Sequence, residues 1–277
     1  MSDPFKFFCI RGYMKSGTNW MCRLLNQHPK VHCIGEFHWE TFYRAAAENV
    51  NRIAPKRQEQ LKATLDSQLQ QMVRSSLIEL SGRSSGIIGD RTPTTIAPIV
   101  MHVPHIVMVR DFRDVIVSRM FHLYNNPRIT TIFERSQVMS RRLENFKNDC
   151  WFFREYPEQL LDCEEVVRDS ASEWAEQMRC DRETAAANEQ LPVLFVRYED
   201  LHSRFDAKLA EVFSFLGLSK PADITETLKP GHAQENPNQL NRKGQVGDWK
   251  NYVDQKVMNW LIDSTGGEFH SADSAVF

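Results

Sequence analysis

The stretch FKFFCIRGYMKSGTNW, Phe5 to Trp20, decides how this chain is read. Phe5 to Ile10 is an apolar run suited to a parallel strand buried on both faces. The chain then passes Gly12 and enters Lys15-Ser16-Gly17-Thr18, and a helix follows from Trp20 to Asn26. A strand, a glycine-containing turn and a helix make a phosphate site. The first N–H groups of the helix have no partner within it, and the dipole puts its positive end there. Lys15 adds a full charge, and Ser16 and Thr18 add hydroxyl donors. The loop is not a Walker A, because that motif sets a glycine directly before its lysine and here Lys15 precedes Gly17. Read alone, the stretch also fits a polar turn that caps a helix.

Further strands alternate with helices. Val31 to Ile34 reads as a short strand ending at Gly35, with Glu36 and His38 just beyond it. In open α/β sheets the carboxyl ends of strands are where ligands gather, so both residues are candidates for proton transfer. Their structural alternative is an ordinary helix start. Gln58 to Leu80 carries apolar residues at helical spacing. Gly86 to Gly89 is a strand running into Asp90-Arg91-Thr92-Pro93, and Ile106 to Val109 is another, closed by Arg110-Asp111. An Arg110–Ser118 pair, strand end and following helix, suits a second phosphate through bidentate guanidinium bonds; a salt bridge to Asp111 or Asp114 is the alternative. Gln137 to Tyr156 reads as one amphipathic helix. The acidic, alanine-rich stretch from Cys163 to Gln190 reads as a partly exposed helix with a solvated face. Leu191 to Arg197 is a clear strand, and a periodic helix from Leu201 to Leu216 ends at Gly217. Lys229 to Asn241 is a loop rich in Pro, Gly, Asn and Gln, placed to close over a site. A last helix spans Asp254 to Asp263, with a polar tail over 268–277. The expectation is one α/β domain over 1–277, with a central, mostly parallel sheet flanked by helices.

Composition narrows the function. A net charge of −2 over 277 residues gives no overall basic field for nucleic acid, so any anion site depends on local placement of Lys and Arg. No apolar run approaches the roughly 18–20 residues of a membrane span, and MSDPFKFF lacks the pattern of a secretory leader. The six cysteines form no CxxC pair. A cytoplasmic protein without disulfides, membrane contact or a metal centre is expected.

Motifs spread along the chain now share one resemblance. K-S-G-T-N-W (Lys15 to Trp20) resembles the 5′-phosphosulfate loop of sulfotransferases that use 3′-phosphoadenosine 5′-phosphosulfate, PAPS. R-D-F-R-D-V-I-V-S (Arg110 to Ser118) resembles their 3′-phosphate motif, and V-R-Y-E-D-L (Val196 to Leu201) the segment whose tyrosine approaches the nucleotide. R-K-G-Q-V-G-D-W-K (Arg242 to Lys250) resembles their C-terminal signature.

The resemblance implies a P-loop-like fold, PAPS as donor and adenosine 3′,5′-bisphosphate (PAP) as product, with no metal required. Lys15, Ser16, Gly17, Thr18, Asn19 and Trp20 would hold the 5′ end, with Asn19 standing where threonine is more usual. Arg110 and Ser118 would hold the 3′-phosphate, helped by Arg242, Lys243 and Gly244, and Tyr198 would lie near the adenine.

The base departs from one branch of the family. The histidine of a K-T-H motif is missing, and the corresponding strand end reads Gly89-Asp90-Arg91-Thr92-Pro93. L-L-N-Q-H-P-K-V-H-C-I-G-E (Leu24 to Glu36) resembles instead the Golgi-type and tyrosylprotein-type enzymes, in which a glutamate at this position is the base. Glu36 is therefore the expected base and His38 the second candidate. Lys15 would stabilise the leaving group, and Arg91 is a candidate for the sulfuryl oxygens. The acceptor would offer a hydroxyl, on a small molecule or a glycan. Phe37, Trp39, Phe42 and Tyr43 either line its pocket or pack on the core. The dimer motif of some cytosolic relatives has no convincing counterpart in K-N-Y-V-D-Q-K, which leaves the oligomeric state open. The rival readings are a P-loop phosphotransferase and a non-catalytic nucleotide-binding module.

Overall fold

A computed structural model describes residues 4–53, 55–96, 103–232, 235–238 and 243–266. The elements run β1 (Phe5–Arg11), α1 (Thr18–Leu25), β2 (Val31–Ile34), α2 (Trp39–Asn51), α3 (Pro55–Ser81), β3 (Gly86–Arg91), β4 (His105–Val109) and α4 (Phe112–Asn125). They continue with α5 (Ile132–Arg135), α6 (Gln137–Asn148), α7 (Phe152–Glu155), α8 (Glu164–Ala187), β5 (Val193–Arg197), α9 (Tyr198–Ser203), α10 (Phe205–Phe215) and α11 (Gln255–Ser264). Among the described residues the strands form one sheet in the order β2-β3-β1-β4-β5, and each pairing given by the register is parallel.

The strands are apolar on both faces because helices cover both. Phe8 and Ile10 of β1 point into a core shared with α1 and α10, while Phe7 and Cys9 face Leu69, Val73 and Leu77 of α3. On β3, Gly89 lies flat under the Phe8 ring, which occupies the space a side chain would need. A further core joins α4, α6, α8 and α11 around Tyr124, Phe146, Phe153 and Trp174.

The sheet order positions the site. β1 is central, with β3 on one side and β4 on the other. The chain visits β2 and β3 on one side and then crosses to β4, which leaves a switch point between β1 and β4. A crevice at the carboxyl ends of the strands belongs there. Arg11 pairs with Val107, Val109 with Arg197, and Ile34 with Asp90. The loops carrying Lys15, Arg110, Tyr198 and Glu36 therefore leave the same edge.

Several expectations need correction. The stretch 163–190 is not a solvated face: α8 buries Val166, Val167, Ala171, Trp174, Ala175 and Met178 at helical spacing. Its acidic composition hid that stripe. The helix expected over 137–156 breaks after Asn148, because Asp149 turns extended and its carboxylate accepts from Trp151 N at 2.9 Å. The helix expected from Leu201 starts earlier, at Tyr198, and is interrupted at Arg204, just after Ser203 Oγ bonds back to Glu199 O at 3.0 Å. α2 was not foreseen as an element of its own. Phe37, Trp39 and Tyr43 pack on the α3 core, and Phe42 is 59% exposed. Parts of the 229–241 loop, and the 268–277 tail, lie outside the described residues.

Asp181 on α8 is fully buried and accepts from Ile96 N at 2.8 Å. Burial pushes its pKa up to about 7. The folded state therefore holds a proton that the unfolded chain releases near pH 4. Stability is expected to fall as pH rises from about 4 to 7 through this group. Urea melts of the parent and of Asp181→Asn across that window check it, and the variant should show the flatter dependence.

Candidate active site

β1 ends in a tight loop shaped by its glycines. Gly12 has φ +127° and sits against the Met108 carbonyl, where a Cβ would collide. Gly17, at φ +101°, lies flat under the Tyr198 ring, 2.7 Å from where its Cβ would stand. Lys15 itself takes a left-handed φ of 70°. α1 starts after Gly17 with no side-chain cap and no acid in its first turn. Ser16 is completely buried at this helix start, and its hydroxyl has no hydrogen-bond partner among the described residues. A buried hydroxyl beside open helix N–H groups is a donor set for an oxyanion.

Arg110 lies across this loop. Its Nη1 donates to Lys15 O at 3.2 Å and its Nη2 to Gln245 O at 2.9 Å. Its guanidinium carbon stands 4.3 Å from the centre of the Tyr198 ring, and Asp114 Oδ2 is 3.8 Å from Nη2. The buried Nε has no partner among the described residues, so a second anion also has a donor waiting. The salt-bridge alternative for Arg110 is thus present toward Asp114, and it leaves Nε unpartnered among the described residues.

Asp114 is the main residue the sequence reading undervalued. It is buried in the first turn of α4 and accepts from Gly247 N at 2.7 Å and Trp249 N at 2.9 Å. Burial pushes its carboxyl up, while Arg110 and the two amides pull it down. Arg113 adds to the same docking: it stacks 3.9 Å from the Trp249 ring centre and grips Asp111 at 2.9 and 2.6 Å. Lys243 pairs with Asp248 at 2.9 Å, and Gly244 takes φ +61°. Arg242 lies outside the described residues.

The side of the loop that faces β5 and α9 is aromatic. Trp20 meets the edge of Tyr198 at 5.2 Å and donates from Nε1 to Leu228 O at 2.7 Å. His202 is 4.8 Å from Tyr198, and burial together with Arg110 lowers its pKa to about 4, so the imidazole is neutral at pH 7. Thr18 is buried, and Asn19 is half-buried at the start of α1. Ser118 is half-buried on α4, at the same helical spacing from Asp114 as Asp114 is from Arg110.

The acid side gathers at β2 and β3. Gly35 presses on the Arg91 backbone, which leaves no room for a side chain. Glu36 pairs with Arg91 Nη1 and stands 3.7 Å from His38 Nε2. His38 Nδ1 also meets Glu40 at 3.2 Å. A buried pair, Arg11–Asp90 at 2.8 Å, continues through Thr92 Oγ1 (3.0 Å from Asp90) to Phe37 N at 3.4 Å. That chain ties the end of β1 to the segment bearing Glu36. His122 on α4 was not foreseen. Burial lowers its pKa, Lys15 lowers it further and Glu36 raises it, so it sits in the field of both sides. Its position four residues after Ser118 was the available signal.

The family model for the sulfotransferase domain matches residues 7–265. Among solved structures, mouse sulfotransferase SULT7A1 complexed with PAP is similar at a TM-score of 0.51 and 16% identity, over 98% of this chain and 87% of that one. The sulfotransferase domain from the Curacin biosynthetic pathway is similar at a TM-score of 0.50 and 15% identity, over 95% of this chain and 98% of that one. Among curated protein sequences none matches. At these identities the two structures speak for the fold.

Removing Asp114 should release the C-terminal segment from α4. In Asp114→Ala the amides of Gly247 and Trp249 lose a charged acceptor worth about 1.5–3 kcal/mol, so their hydrogen exchange should quicken by on the order of ten-fold or more. Unchanged exchange at both amides would show that other contacts hold the segment.

Proposed function

Because the chain belongs to the sulfotransferase domain family, we propose that it moves a sulfuryl group from PAPS to an acceptor hydroxyl and releases PAP. The observation that carries this is the meeting of Arg110 with Lys15, Tyr198 and Gln245, beside the unpartnered Ser16 hydroxyl. Two anion cradles flank an aromatic site, which suits a nucleotide phosphorylated at both its 5′ and 3′ ends.

Lys15, Ser16, Gly17, Thr18 and the first amides of α1 bind the 5′-phosphosulfate, and Asn19 and Trp20 complete that wall. Arg110 and Ser118 bind the 3′-phosphate, helped by Lys243 and Gly244 and by Arg242, which lies outside the described residues. Tyr198 and Trp20 face the adenine. The acceptor oxygen forms a bond to sulfur as the bond from sulfur to the bridging phosphate oxygen breaks. Glu36 takes the hydroxyl proton, and Lys15 meets the charge developing on the leaving phosphate. Arg91, paired with Glu36, holds that carboxylate in place and lies within reach of the sulfuryl oxygens. His38 supports Glu36 from its other oxygen, which makes it a positioning residue in this scheme. The acceptor is a hydroxyl-bearing small molecule or glycan. Among the described residues no helix is long and apolar enough to cross a membrane, and no three His, Cys, Asp or Glu side chains gather as a metal site.

A thermal-shift comparison tests the donor. PAP without magnesium, at about 100 times its Kd, should stabilise the protein by roughly 2.7 kcal/mol. Stabilisation by Mg-ATP in place of PAP would mean a phosphotransferase. Glu36→Gln should keep the PAP shift and lose about 10²–10⁴-fold in turnover. Loss of the shift, or unaltered turnover, would remove Glu36 from the role of base.

Ser118 should read the 3′-phosphate. In Ser118→Ala, calorimetric titration should find a smaller preference for PAP over adenosine 5′-monophosphate, by about 1 kcal/mol or more for a hydrogen bond to a charged group. An unchanged preference would place the 3′-phosphate elsewhere.

A further inference from the structure

Behind the Glu36–Arg91 pair lie two thiols that the transfer reaction does not use. We propose that Cys22 is a peroxide-reactive cysteine and Cys33 its resolving partner, so that oxidation cross-links α1 to β2 directly behind the acid side of the site. The modification and its test stand apart from the donor and acceptor reading; only its effect on turnover rests on that reading.

The two residues are eleven apart in sequence, and Cys22 Sγ donates to Cys33 O at 3.4 Å. Asn26 clamps them. Its Oδ1 accepts from Cys33 N at 2.6 Å, its Nδ2 donates to Cys33 O at 2.9 Å, and the same Nδ2 stands 3.8 Å from Cys22 Sγ. The Cys22 thiol is thus held against the Cys33 backbone, and both side chains lie in one buried cluster, the closeness that a disulfide needs beforehand.

The surroundings separate the roles. The hydrogen bond from Cys33 draws the Cys22 thiol below its ordinary pKa; burial opposes this, and the Arg91 guanidinium adds to the lowering. Burial pushes Cys33 well above its ordinary value. A thiol beside a cation, with a second cysteine adjoining it, is the arrangement in which oxidation stops at a disulfide. Exposure alone gives a different order: Cys22 is only 8% exposed, whereas Cys150, Cys163 and Cys180 are half-buried.

The chemistry balances with a peroxide as oxidant. The Cys22 thiolate attacks one peroxide oxygen, the O–O bond breaks, and hydroxide leaves to become water. Cys33 then attacks the sulfenic sulfur and a second water leaves. Two thiols are oxidised to one disulfide, and hydrogen peroxide is reduced to two waters. The new bond draws Cys22 away from Arg91 and ties the strand that leads to Glu36 to the helix of the phosphate loop. Sulfuryl transfer is expected to fall and to return with a dithiol reductant.

The test treats the full chain with limiting hydrogen peroxide and maps its peptides without reduction. The expected first product is a Cys22–Cys33 cross-linked peptide, lighter by two hydrogens and reopened by dithiothreitol. In Cys33→Ser the sulfenic acid should persist on Cys22 and be captured by dimedone. Oxidation of Cys150, Cys163 or Cys180 while Cys22 and Cys33 remain free would overturn the proposal. So would a folded Cys33→Ser without a dimedone adduct on Cys22. The peptide map of the parent protein needs no variant, so it decides the matter even where Cys33→Ser fails to fold.

Discussion

Arg110 carries a charge that cannot be lost and five N–H donors on a rigid plane. It is buried, so those donors must meet acceptors or the ion pays a large desolvation cost. Its partners come from parts of the chain far apart in sequence: Lys15 O from the loop after β1 and Gln245 O from the C-terminal segment accept hydrogen bonds, and the Asp114 carboxylate in the first turn of α4 is an ion-pair partner at 3.8 Å. Tyr198, at the end of β5, covers the face of the guanidinium. One buried cation thus draws the loop after β1, α4, the end of β5 and the C-terminal segment to a common point. The Nε of that cation and the Ser16 hydroxyl stay without partners among the described residues.

Asp114 balances it. Its two oxygens are committed to backbone N–H groups of Gly247 and Trp249, so the carboxylate offsets Arg110 without occupying the donors that face the crevice. Arg113 stacked on Trp249 reinforces the same seam. On the other side of the switch point the Arg11–Asp90 pair performs a similar service. It is buried within the sheet, and through Thr92 it reaches the segment that carries Glu36. The loop after β1 and the acid side are therefore held by separate ionic seams, both rooted in β1 and its neighbours. His122 registers the fields of both.

Local chemistry made a large part of this legible in the sequence. The strand–loop–helix from Phe5 could be read because Gly12 and Gly17 need conformations that side chains oppose, and because apolar runs mark buried parallel strands. The strand ends at Arg91, Arg110 and Tyr198 could be read for the same reason, and each carries the polar group expected there. Glu36 and His38, read as candidates because they follow a strand end, stand 3.7 Å apart. α8 was misread because its acids outnumber its apolar stripe in composition although not in packing. The breaks at Asp149 and Arg204 depend on side chains bonding to nearby backbone, which competes with helix only once the neighbouring elements are docked.

By itself, then, the sequence determined the strands, the strand–turn–helix at β1 and the identity of the charged groups at the strand ends, since those follow from backbone conformation and from period-2 and period-3.6 patterning. The tertiary structure alone decided which of those groups meet. The order β2-β3-β1-β4-β5 puts Lys15 beside Arg110, Glu36 beside Arg91 and Cys22 beside Cys33. Asp114 gained its role only when residues 247 and 249 came to rest on α4. The physical reason is that the pairing of a buried charge depends on which distant acceptors the sheet delivers to it, and strand order is a property of the packed whole.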